Sequence, residues 1–433
     1  MHKWWALLLA GMLLMFHAAV ALCDNQAPAP TPSSNTQQTN KGNQQIVIRL
    51  AYDDQAQTVA LQQIADAYGK THSAVRIELM PISKVSYYTR LESMAMGSVL
   101  PDVFVIHPER VMDFVSAGAL MDLSLAGIDF SPFPEAVTAL YRYNNIPYAV
   151  PKDVDGVALA YNKALFKQSD VELPKATWTW ADLRRAALDI TDIEKNIWGF
   201  AAPNDGATGY YQLIYQNGGY VFRDNRSGFG DPLTQEAVRF WVDLALVDHV
   251  SPLPEDYPDV APSEWFTTGQ VAMQFVRGSQ IAKWRETGNI QGMFDVMTLP
   301  MQTQRAAVCE GAAFAAAANT KNADAVRAFM AYLATRPAAE LYAGATSAFP
   351  ANQAVREAHT KLYPDVYMQA FLDSLADAVP MPISPMRVVW EPLEYQAMED
   401  VYDRKATVEA ALTALHEEIT MLEGTNIVII ENN

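Results

Sequence analysis

The ordered part of the chain opens by alternating strand and helix, and this alternation narrows the fold more than any other feature. Ile46-Val47-Ile48-Arg49-Leu50 is a β-branched run, followed by a polar break over 52–55 and then by Leu61, Ile64, Ala65 and Tyr68 at helical spacing. The pattern repeats with a strand over 75–79, a helix over 88–96 and a buried-type strand over 102–106. Strands alternating with helices predict parallel sheets covered on both faces, an α/β fold. Sheets of that kind bind ligands beyond the carboxyl ends of their strands, so the loops at 52–55 and 107–110 are the first candidate site.

Further along, the periodicity predicts strands over 157–161, 198–200 and 271–276 and helices over 180–188, 209–216 and 234–246. A strand candidate over 294–299 precedes a small-residue stretch over 311–318, and the chain from Asn322 onward is strongly helical. The last helix, over 407–422, carries Val408, Ala411, Leu412, Leu415, Ile419 and Leu422 on one face. No repeat of 20–50 residues is visible. A length of 433 residues, 50% of them hydrophobic, suits two or three domains with cores that need no staples.

The 31 basic residues against 49 acidic ones leave a net charge of −18. Such a chain gains nothing from displacing counterions on a nucleic-acid backbone, so no nucleic-acid partner is expected.

Residues 1–23 read as an export signal, with Lys3 followed by an apolar stretch from Trp4 to Met15 too short for an ordinary membrane span. Two readings of its end stay open. Ala19-Val20-Ala21 suits ordinary cleavage, whereas Val20-Ala21-Leu22-Cys23 resembles a bacterial lipobox, with Leu22 where Gly, Ala or Ser is usual. Residues 24–44 are rich in Gln, Asn, Pro, Ser and Thr and hold no large apolar side chain, so they read as a tether. A flexible run of that length reaches roughly 25 Å, the clearance a bilayer-anchored domain needs, which favours lipidation at Cys23. The other cysteine, Cys309, is expected to be an inert buried thiol.

Catalytic signatures are missing: no phosphate loop, no GxGxxG after a strand, no HExxH and no GxSxG elbow. The seven histidines are scattered with no pair at zinc-ligand spacing, so neither a metal nor a cofactor is expected.

Several stretches, in order over about 46–422, are similar to the solute-binding proteins of ABC importers, specifically the large sugar-binding family that includes maltodextrin-binding proteins. The most specific runs from Val150-Pro151 through Ala158-Leu159-Ala160-Tyr161-Asn162-Lys163 to Thr177-Trp178-Thr179-Trp180-Ala181-Asp182-Leu183. Pro101-Asp102-Val103, Gln216-Asn217-Gly218-Gly219, Phe266-Thr267-Thr268-Gly269-Gln270-Val271 and Phe349-Pro350-Ala351-Asn352 add to it. The resemblance implies a two-lobed periplasmic-binding-protein-like fold, a hinge of crossover strands and a ligand cleft between lobes. Domains are expected at 1–22 (signal), 23–44 (tether), 45–153 with 306–350 (first lobe), and 154–305 with 351–433 (second lobe). Crossings are expected near 152–155, 303–308 and 349–352.

Site residues follow from this placement. Asp53 and Asp54 stand after the first strand, where carboxylate oxygens accept from sugar hydroxyls; a solvated turn or helix cap is the other reading. His107 and Glu109 follow the strand over 102–106, with a helix-start charge as the alternative for Glu109. Asp155 falls at the hinge, and the neighbouring Lys152 and Asp153 read as a surface pair of little energetic consequence. Tyr210, Tyr211 and Trp390 are implied as platforms for the apolar face of a sugar, with Arg387 beside the last. Gln280 replaces a customary indole, and Gly311 stands where backbone amides approach the ligand.

The resulting expectation is a lipid-anchored, monomeric receptor, not an enzyme, exported to the periplasm or the outer face of the membrane. It would capture a sugar or oligosaccharide and deliver it to an ABC permease. Alternatives are a glycerol phosphate bound through Arg387, ferric ion on the pairs Tyr87-Tyr88 or Tyr210-Tyr211, an exported polysaccharide-acting enzyme, and a sensory lipoprotein of the same fold.

Overall fold

A computed structural model describes residues 45–430 except 224–225, 288–289, 291 and 347. The signal, Cys23 and the tether lie outside the described residues. Among the described residues no helix is long and apolar enough to cross a membrane.

The strands that frame the site are, in chain order, β1 (Ile46–Tyr52), β2 (Val75–Pro81), β3 (Val103–Ile106), β4 (Ala149–Pro151), β5 (Val157–Asn162), β6 (Met273–Arg277), β7 (Phe294–Met297), β8 (Ala307–Cys309), β9 (Ala313–Ala316) and β10 (Ala378–Pro380). The first sheet has the order β2-β1-β3-β9-β4. Its β2, β1 and β3 run parallel, as the alternation predicts. All four residues of β3 are buried, because helices cover both faces. On one face the helix Thr58–Thr71 turns in Leu61, Ile64 and Tyr68, and the helix Ala323–Leu333 turns in Val326, Phe329 and Met330.

The expectation of parallel pairing fails beyond β3. β9 is antiparallel to both neighbours, since it is entered from the other lobe instead of through a covering helix. The second sheet, β6-β5-β7, is antiparallel throughout. Residues 198–200, expected as a strand, lie near β6 through isolated parallel bridges, Trp198 to Val271 and Ala201 to Gln274. The polar loop that follows draws the chain away before a ladder forms.

The local motifs have physical explanations. Asn162 Oδ1 accepts from the amides of Ala164 and Leu165 and so caps the helix Lys163–Gln168 at the end of β5. Thr179 and Asp182 form a reciprocal capping box on the helix Trp180–Ile190, and the Trp180 indole donates to Gln216 at 2.7 Å. A Cβ on Gly219 would stand 2.7 Å from Thr234 Oγ1 and 2.9 Å from its amide, so no other residue fits there.

Three segments cross between the sheets side by side. The middle one, Lys152–Asp155, pairs on one side with Glu310 through reciprocal bonds to Asp155 of 2.7 and 3.0 Å. On the other side the Val154 amide donates to Phe349 and the Ala351 amide to Lys152. The crossing expected within 303–308 falls later, at 310–312: β8 still pairs with β10, and the Val308 amide donates to Gln212 of the second lobe.

Candidate functional site

A cavity of about 710 Å³ opens over the crossing segments, walled by the carboxyl ends of β1 and β3 on one side and by β6 and the helix Arg387–Tyr402 on the other. Six of the residues singled out in the sequence line it: Asp53, His107, Glu109, Asp155, Gly311 and Arg387.

Asp53 is 8% exposed and faces His107, with Oδ2 3.2 Å from Nε2. Burial alone would raise the Asp53 pKa, but the hydrogen bond and charge of His107, with Lys152 beyond, hold it below the ordinary carboxylate value. Burial likewise opposes protonation of His107, and Asp53 together with Glu109 outweighs it, so the imidazole pKa is raised. The other oxygen of Asp53, Oδ1, is buried without a protein partner. The His107 amide donates to the Tyr88 hydroxyl at 2.9 Å, and Arg110 covers one face of the Tyr88 ring at 4.6 Å. Glu109 sits in the first turn of the helix Pro108–Ser116, half-buried at the cavity wall.

At the hinge Lys152 is 6% exposed and bonds Asp153 and, at 2.9 Å, the Tyr342 hydroxyl. The pair expected at the surface is thus buried, and it keeps its charge because Asp153 and Tyr342 overcome the cost of burial and raise the lysine pKa. Asp155 accepts from Ser279, its Oδ2 2.5 Å from Oγ, and burial raises its pKa although Arg277 opposes the shift. Arg277 pairs with Glu310 and donates to Thr208 at 3.0 Å. Arg387 donates to Glu391 at 2.6 Å and to the Pro382 carbonyl at 2.7 Å.

Five expected residues are not brought to this cavity. Asp54 is exposed and caps the turn Gln55–Gln57 by accepting from the Ala56 amide, the capping alternative. Gln280 turns away, its oxygen accepting from the Arg277 amide and its nitrogen donating to Ser263, while Ser279 takes the place at the wall. Tyr210 and Tyr211 are 2% exposed and donate to Glu394 at 2.8 and 2.5 Å inside the second lobe. Trp390 is fully buried and stacks on Phe222 at 4.7 Å. All three rings lie on the core side of their elements, so the expectation of ring platforms is corrected for them. Tyr87 is also committed inward, its hydroxyl donating to the Val105 carbonyl at 2.7 Å. Gly311 lines the cavity for a different reason from the one expected. A Cβ there would stand 2.1 Å from the Asp153 carbonyl, so the pairing of the crossing segments demands the glycine.

Sequence reasoning did not single out Arg277, Glu310, Tyr88 as a wall residue, Gln57 or Glu391. Arg277 carries a readable signal, a charge at the end of strand β6, whose four other residues are all buried.

Two lobes joined by paired crossings, with acceptor-rich walls on both, define a binding protein. The chain belongs to the bacterial extracellular solute-binding protein family, whose model matches residues 52–340. A maltooligosaccharide ABC transporter solute-binding lipoprotein of Streptococcus pneumoniae is 22% identical over 408 residues, 89% of this chain and 90% of that protein. A galactooligosaccharide-binding protein of Bacillus subtilis is 25% identical over 221 residues, 51% of this chain and 49% of that one. Among solved structures, an ABC substrate-binding protein of Listeria monocytogenes in complex with cycloalternan matches with TM-score 0.75 at 23% identity, over 88% of this chain and 99% of its own. The sugar-binding protein MalE of Xanthomonas citri matches with TM-score 0.77 at 17% identity, over 89% and 100%. These likenesses establish the two-lobed α/β fold.

Proposed function

We propose that the chain captures a sugar or oligosaccharide in the cavity over the crossing segments and hands it to the permease of an ABC importer, binding without chemistry. Lipidation of Cys23 would hold it at the outer face of the membrane. The observation that carries this reading is Asp53, a buried carboxylate at the end of β1 with one oxygen held by His107 and the other lacking a protein partner. A hydroxyl donating to Oδ1 satisfies it, and carboxylates of the crossing segment and the opposite wall, such as Asp155 and Glu391, meet the same ligand once the lobes close. The relatives that bind malto- and galactooligosaccharides support the choice of ligand class.

Thermal melting of the purified full chain against malto-, galacto- and arabinooligosaccharides tests it. A bound sugar at 100 times its Kd stabilises by about 2.7 kcal/mol, and Asp53→Ala should remove most of that gain. No stabilisation by any of these sugars, or stabilisation untouched by Asp53→Ala, would overturn the reading.

A further inference from the structure

The balance of hydrogen-bonding groups around the cavity points to a narrower ligand class. The cations on its walls are already engaged: Lys152 by Asp153, Arg277 by Glu310, Arg387 by Glu391, and the imidazole of His107 by Asp53. Lys84 is the remaining basic group of the lining, and it is exposed. On the acidic side Glu109 has no ion pair among the described residues, its charge reaching His107 and Arg387 only through space, and Asp155 accepts hydrogen bonds from Ser279, with the charge of Arg277 nearby. Two further acceptors of the lining, Asp53 Oδ1 and Gln57 Oε1, are buried without a protein partner, against one such donor, Arg387 Nε. Rings contribute little surface, since Arg110 covers a face of Tyr88 and Phe349 is 4% exposed. A ligand fitted to these walls is rich in donors, gains little from stacking, and balances a spare negative charge.

We infer that the ligand is a sugar bearing a protonated amine, with Glu109 as counter-ion of the ammonium and Asp53 and Gln57 accepting from it and from neighbouring hydroxyls. This rests on the sugar-binding reading above. A charge-assisted bond is about twice as strong as a neutral one. The net charge of −18 also favours the approach of a cation.

Calorimetric titration of the full chain with four probes tests the inference: the glucosamine disaccharide, its N-acetylated counterpart, maltose and putrescine. The amino disaccharide should bind about tenfold tighter than either neutral sugar at low salt. That preference should shrink as salt rises, and Glu109→Gln should bring the ratio of amino to N-acetylated affinity close to one. Should Glu109→Gln fail to fold, the salt dependence of the wild-type preference decides alone. Neutral sugars binding as tightly as the amino sugar, a preference that survives Glu109→Gln or ignores salt, or putrescine binding tighter than the amino sugar would overturn the inference. In the first of these cases the broader sugar-binding reading stands. If none of these sugars binds, the inference falls, and the broader reading falls with it when the melting series against malto-, galacto- and arabinooligosaccharides is blank as well.

Discussion

Glu394 gathers the hydroxyls of Tyr210 and Tyr211 at the centre of the second lobe, and its burial pushes its pKa up to about 7 despite both hydrogen bonds. The folded state therefore favours the neutral carboxyl. This contribution is complete below the ordinary glutamate value of about 4.5 and is lost as pH rises through about 7. Urea unfolding at a series of pH values should show stability falling over that window, and Glu394→Gln should flatten the fall. The pair at the cavity behaves otherwise. The raised pKa of His107 makes its contribution full below about 6.5 and lost above its folded value, whereas the lowered pKa of Asp53 makes its contribution full above about 3.8 and lost in acid. His107→Gln should accordingly lower the melting temperature at pH 5.5 more than at pH 8.5. Residues placed by a strand end, such as Asp53, His107 and Glu109, were legible in the sequence because chain direction fixes where such ends point. The rings were not, because Tyr210, Tyr211 and Trp390 are as apolar as core residues, and their partners Glu394 and Phe222 lie far away in sequence. Trp390→Ala tests their reassignment: it should cost about 3–5 kcal/mol in urea unfolding and leave the sugar affinity of the folded fraction unchanged.

Among elements, those with local signals were read well. The strand after Gly156 and the helix capped by Thr179 carry their own periodicity and caps and fall within a few residues of expectation, and the last helix starts where expected but runs on to Ile430. Asn162→Ala should cost about 1 kcal/mol by uncapping the helix Lys163–Gln168, seen as a shift in the urea midpoint. The direction of β9 was not legible, because strand polarity depends on which lobe the chain has just left. Nor was the place of the second crossing, which is set by the pairing of Asp155 with Glu310. Gly311→Ala puts a methyl against the Asp153 carbonyl and should cost about 3 kcal/mol, with loss of ligand binding. A variant as stable as the parent would show that the crossings do not need that close approach.

Across the whole molecule, three paired crossings restrict how the lobes can move, since backbone hydrogen bonds tie each crossing segment to its neighbour. Closure about such a hinge should appear in solution scattering as a smaller radius of gyration when the ligand is added. β9 carries a consequence of another kind. It fills the place between β3 and β4, yet more than two hundred residues separate it from β3 along the chain. While the polypeptide is being made, β3 and β4 wait side by side with an open slot between them, and the sheet cannot close until residues 313–316 have emerged. Pairing across so long a separation in sequence slows closure of the first sheet. The first lobe therefore completes its sheet only once most of the chain has been made.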